Sequence, residues 1–82
     1  MNEDTAKIDN KSSERLVKEA VEMRKEKGLT QRELSQLSGV NLSVISKMEN
    51  GTSYPKLFTF LKVLGALDAT LRLVQLKDKA EE

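Results

Sequence analysis

Between Leu29 and Gly51 the chain carries two helix-start signals on either side of one glycine, and that spacing restricts the fold more than any bulk property does. Thr30 followed by Glu33 is the pattern of a capping box, in which each side chain can accept the other residue's backbone N–H. Asn41, just past Gly39, is a second residue of the type that opens helices. Gly39 between them supplies a backbone conformation or close approach that a side chain would obstruct. The spacing predicts two short helices, from about Gln31 to Ser38 and from about Leu42 to Asn50, with Gly51 stopping the second in the C′ position. Leu34 and Leu37 are expected to face inward from the first, and Val44, Ile45 and Met48 from the second.

The flanking segments supply the rest of a core. Ser12 or Ser13 can cap a preceding helix whose stripe is Leu16, Val17, Ala20, Val21 and Arg24, and Gly28 supplies its C′ residue. Its other face, with Lys18, Glu19, Glu22, Lys25 and Glu26, is charged and solvated. Residues 52–55 read as a turn, after which Leu57, Phe60, Leu61 and Leu64 give the period of a helix from about Lys56 to Leu67 that closes the core. Tyr54, Phe58 and Phe60 are expected in the core or a dimer surface. Two capped helices around a tight turn form a helix-turn-helix, whose second helix can lie in the major groove of DNA.

The ends are less regular. Residues 1–11 show no apolar period and read as a disordered or loosely docked arm, and residues 77–82 as a charged tail. Residues 68–76 alternate in a way that favours a β-strand; a helix capped by Asp68, with Leu67, Leu71 and Val74 as its stripe, is the alternative. A lone strand needs a partner, and the simplest is its own symmetry mate, which makes the protein a dimer through Leu71, Leu73, Val74 and Leu76. The fold class is therefore all-α, four to five helices over residues 12–67, with a short C-terminal strand that pairs across a dimer.

Composition narrows the chemistry. The 82 residues contain neither cysteine nor histidine, so disulfides, thiolate or imidazole metal sites and a Ser-His-Asp constellation are excluded within them. No catalytic residues, metal or cofactor are expected. No apolar run approaches the ~20 residues that span a bilayer, and a cytoplasmic protein without a membrane partner is expected. Net charge is +1, but each terminal segment carries a net negative charge, which leaves +3 on the body, a weak basic bias compatible with DNA.

The run Gly28-Leu29-Thr30-Gln31, Glu33-Leu34-Ser35, Ser38-Gly39-Val40, Ile45-Ser46 and Met48-Glu49-Asn50-Gly51, followed by Pro55, Leu61 and Leu64-Gly65-Ala66-Leu67, resembles the Cro/C1-type, xenobiotic-response-element helix-turn-helix family over about residues 13–68. The resemblance implies a lambda-repressor-like DNA-binding domain. The segment after Leu67 resembles the HipB-like antitoxins, in which a C-terminal strand pairs across the dimer.

What the resemblance implies for residues can be stated one by one. Gln31, in the first turn of its helix, would meet a DNA phosphate. Asn41, Leu42, Ser43, Ser46 and Lys47 occupy the part of the second motif helix that reads base edges. Lys47 can donate to guanine or meet a phosphate, whereas Leu42, where relatives often place Gln, can make only apolar contact, as with a thymine methyl. A reader so poor in hydrogen-bonding side chains would depend on DNA shape and phosphate contacts. Arg24 is expected to pair with Glu49 and face a phosphate, and Asn50, Thr52, Ser53 and Lys56 to extend the backbone contact. The implied protein is a homodimeric repressor of a palindromic operator and an autoregulating antitoxin with a cognate toxin. A stand-alone phage-like or metabolic repressor, or an interaction module that does not bind DNA, are the alternatives.

Overall fold

The computed structural model describes residues 10–76, and four helices occupy them: α1 (Asn10–Glu26), α2 (Gln31–Ser38), α3 (Leu42–Glu49) and α4 (Leu57–Ala66). The expectations for residues 1–9 and 77–82 lie outside the described residues. Asn10 and Lys11, expected in an arm, are already helical, so Ser12 and Ser13 sit inside α1 instead of capping it. No described helix is long and apolar enough to cross a membrane.

Helix ends follow the sequence closely where a side chain or a glycine makes the cap. Thr30 Oγ1 accepts the Glu33 N–H at 3.0 Å and Glu33 Oε1 accepts the Thr30 N–H at 2.9 Å, which closes the capping box on α2. Gly51, at φ 79°, lets the Thr52 N–H return to the Lys47 carbonyl (2.9 Å) and the Gly51 N–H to that of Met48 (3.2 Å), a Schellman end for α3. α4 ends by the same device without a glycine. Asp68 takes the left-handed conformation (φ 61°), and the Ala69 N–H reaches the Leu64 carbonyl at 2.8 Å.

The core among the described residues is Ala20, Leu34, Val40, Ile45, Met48, Phe60, Val63, Leu64 and Leu67. α2 packs on α4 and on α3, and α1 packs on α3. Three leucines expected inside are not there, and the first, Leu16 of the α1 stripe, is 39% exposed. Leu37 is 63% exposed because the inward stripe of α2 runs through Gln31, Leu34, Ser35 and Ser38, and Val40 beyond the turn is buried in the core. Leu57 is 64% exposed, and Val63 takes part in the core. Of the aromatic residues, Phe60 is buried while Tyr54 and Phe58 are exposed.

Residues 69–76 form neither the helix nor, within one chain, the strand expected of them, and there is no strand among the described residues. Asp68 is consumed in ending α4, so it opens nothing. Ala69 and Leu71 pack against the core, whereas Leu73, Val74 and Leu76 are exposed. A ladder requires a second strand, and the described residues offer none.

Candidate nucleic-acid interface

α3 is held by one face and offers the other. Ile45 and Met48 are fully buried, and they anchor the helix against α1 and α2. On the opposite side Ser43, Ser46, Lys47 and Asn50 fall at helical spacing, so they form one polar ridge. Ser43, Lys47 and Asn50 are exposed and Ser46 is half-buried. Leu42 opens the helix half-buried, an apolar side chain at the leading edge. Thr52 and Lys56 lie exposed just past the helix.

Asn41 occupies the expected N-cap position but caps through its backbone alone. Its backbone carbonyl accepts the Val44 and Ile45 N–H groups, at 3.0 and 3.2 Å, but its side chain makes no cap hydrogen bond. The cap is therefore backbone alone, and the exposed amide stands at the start of the ridge with donors and an acceptor to offer. Asn50 is placed the other way. Its Oδ1 accepts the Thr52 N–H at 2.9 Å and also the Thr52 hydroxyl, which leaves the amino group to donate.

Below the ridge, three elements meet at Glu49. Arg24 of α1 donates through Nε to Oε2 and through Nη2 to Oε1, both at 2.8 Å, while its Nη1 donates to the Leu29 carbonyl at 2.7 Å. Gln31, in the first turn of α2, donates to Oε1 at 2.9 Å. The Arg24 and Glu49 side chains are only 12% and 8% exposed. Gln31, expected to face a phosphate, thus spends one amide N–H on Glu49 and retains a second.

The electrostatics of this cluster can be assigned. Burial acts to raise the Glu49 carboxyl, but hydrogen bonds from Arg24 and Gln31 and the charges of Arg24 and Lys25 outweigh it, so it lies below its ordinary value. The hydrogen bond to Glu49 holds the Arg24 guanidinium above its own ordinary value against the cost of burial. Both groups are charged at neutral pH, and the bidentate fork ties α1 to α3.

The turn itself depends on residues that sequence reasoning passed over. Ser35 Oγ donates to the Val40 carbonyl at 2.6 Å, and the Val40 N–H donates to Ser38 Oγ at 3.1 Å. The Gly39 N–H returns to the Ser35 carbonyl at 2.9 Å, with Gly39 at φ 76°. Two short hydroxyls flanking a turn glycine are the signal that could have found them.

A capped helix, a tied turn and a second helix whose polar ridge is exposed define a helix-turn-helix domain. The family model of that description, HTH_3, matches residues 22–74, and the chain belongs to this Cro/C1-type helix-turn-helix family. An uncharacterized HTH-type transcriptional regulator of Haemophilus influenzae is 41% identical over 64 residues, which cover 78% of this chain and 65% of that protein. Antitoxin HipB of Escherichia coli O6:H1 is 33% identical over 60 residues, covering 73% of this chain and 64% of its own. The chain thus spans slightly less than two thirds of the length of these curated relatives. A chain in the solved structure of a toxin-antitoxin module from Streptococcus pneumoniae superposes with a TM-score of 0.73 at 37% identity, over 93% of this chain and 83% of that one.

Proposed function

We propose that the protein is a sequence-specific DNA-binding repressor that acts as a homodimer and serves as the autoregulating antitoxin of a toxin–antitoxin module. The observation that carries this reading is the polar ridge of α3, held rigid from below by Ile45, Met48 and the Arg24–Glu49 fork. In this reading α3 enters the major groove. Asn41, Ser43, Ser46 and Lys47 meet base edges or the adjoining backbone, and Leu42 makes apolar contact. Gln31, Asn50, Thr52 and Lys56 donate to phosphates, and Arg24 reaches one beside the carboxylate it already holds.

Dimerisation is supported by the apolar side chains left outside the core, Leu73 (100% exposed) and Val74 (78%) above all. The segment that carries them is free of helix and has its ladder positions to offer to a second copy. A two-fold dimer would place two α3 helices about one helical turn (~34 Å) apart and read a palindromic operator. The antitoxin role is supported by the HipB relative and by the toxin-antitoxin structure.

Titrating the protein against a duplex from its own upstream region tests the reading. Lys47→Glu is expected to weaken binding at least about tenfold without changing the melting temperature, because Lys47 is exposed. Binding that is unaltered at every salt concentration would remove α3 from the interface. For the antitoxin role the measurement is co-purification with the product of an adjacent gene; its failure would leave a stand-alone repressor.

A further inference from the structure

A groove of about 770 Å³ runs along α1 and ends against the last residues of α3, with Asn50 and Gly51 in its wall. Its α1 wall is a stripe. Arg15, Lys18, Glu22 and Lys25 recur at helical spacing, and Glu14 stands beside them. The remaining acid of the groove, Glu49, is already neutralised by Arg24. Three cations of the stripe therefore face two acids, and Lys11 adds a fourth cation at the far end. Among the described residues, Arg15 and Lys18 enter no ion pair. Lys25 contributes to holding Glu49 charged, which leaves Arg15 and Lys18 as the cations without an assigned task.

We propose that Arg15 and Lys18 form a second phosphate-contact track that carries the DNA backbone from the end of α3 along α1. The inference rests on the DNA-binding reading above and adds to it a contact that neither the motif nor its turn contains. Continuity is the first argument, since the groove opens on Asn50, which donates to a phosphate in the reading proposed above. Reach is the second. From Arg15 to Lys25 the helix extends about 15 Å, against phosphates spaced ~3.4 Å along the axis of each strand. The third argument is chemical. A helix-turn-helix whose ridge offers few base-reading groups has to find affinity in the backbone, and backbone affinity comes from Lys and Arg that displace counterions.

The test is the salt dependence of operator binding by the full chain. Each phosphate contact removed lowers the slope of log K against log salt by about 0.9, so Arg15→Gln with Lys18→Gln is expected to lower it by about 2, and Lys18→Gln alone by about 1. Both residues are exposed, and α1 retains its helix formers. The loss should be equal for the operator and for duplexes with altered base pairs, because phosphate contacts carry no sequence information. An unchanged slope in the double variant, with wild-type binding intact, overturns the track and leaves the DNA-binding reading standing. No binding by the wild-type protein at any salt concentration overturns the DNA-binding reading instead. A double variant that binds DNA normally but loses a protein partner would show the groove to be a protein-docking surface and overturns the track as well.

Discussion

Glu49 sits where a carboxylate should be poorly placed, at the C-terminal end of α3, where the helix dipole is negative, and nearly out of solvent. It keeps its charge because Arg24 and Gln31 donate to both its oxygens, and the consequence is measurable. Its folded-state carboxyl lies below the ordinary value of 4.5, so the stabilisation is fully present above that pH and is lost as pH falls through the lowered folded value. Glu49→Gln leaves the guanidinium facing a weaker acceptor, and at pH 7 it should cost about 1–3 kcal/mol. Urea unfolding at pH 7 and through pH 5 to 3 checks both parts. The variant should unfold earlier at neutral pH, and it should lack that part of the acid-limb slope which the wild type shows. An acid limb identical in the two proteins would assign the linkage to another carboxylate. The same residue scale separates holding from reading, since Lys47, exposed on the other face of the helix, should bear on DNA in the proposed reading and not on stability.

At the scale of elements, the ends of helices were legible and their inward faces only partly so. The bounds of α2 and α3 could be read because a capping box, a turn glycine and a C′ glycine act over a few residues, and the chain writes them locally. Leu16, Leu37 and Leu57 were misplaced, and Val63 missed, because which side of a helix turns inward depends on where the other helices lie. Asn41 has the right type for a cap, yet its side chain is left exposed and unbonded to the backbone, a choice the sequence does not record. The Arg24–Glu49 fork could be anticipated only through family resemblance, since the two residues lie 25 positions apart. Helix ends also permit a paired prediction. Gly51 holds a left-handed φ with open space around it, so Gly51→Ala meets no clash and incurs only the backbone cost, about 1–2 kcal/mol. Gly65 lies within α4, exposed and without a positive φ, and Gly65→Ala should stabilise by about 0.5–1 kcal/mol. Thermal melts of the two variants should therefore shift in opposite directions by several degrees for a domain of this size. A parallel shift would show that the end of α3 is not limited by its backbone.

At the scale of the whole molecule, the described core ends with Leu71, and the chain continues past it with apolar side chains that none of the described residues covers. This locates where a dimer should be tested. Removing everything after Asp68 would also strip Ala69 and Leu71 from the core and confuse loss of association with loss of fold. Ending the chain after Arg72 removes Leu73, Val74 and Leu76 and leaves the packed residues in place. If those side chains form the interface, sedimentation velocity should show the full chain as a dimer and the shortened chain as a monomer with an unchanged far-ultraviolet spectrum. Operator binding should fall with it, because two half-sites bound independently lose the effective concentration that a dimer supplies. A single half-site should bind both forms equally. A shortened chain that still sediments as a dimer would move the interface to another exposed apolar surface, such as Leu57 and Phe58 at the start of α4. The distinction matters for DNA as well as for assembly, since each interface orients the two α3 helices differently and so demands a different spacing between half-sites.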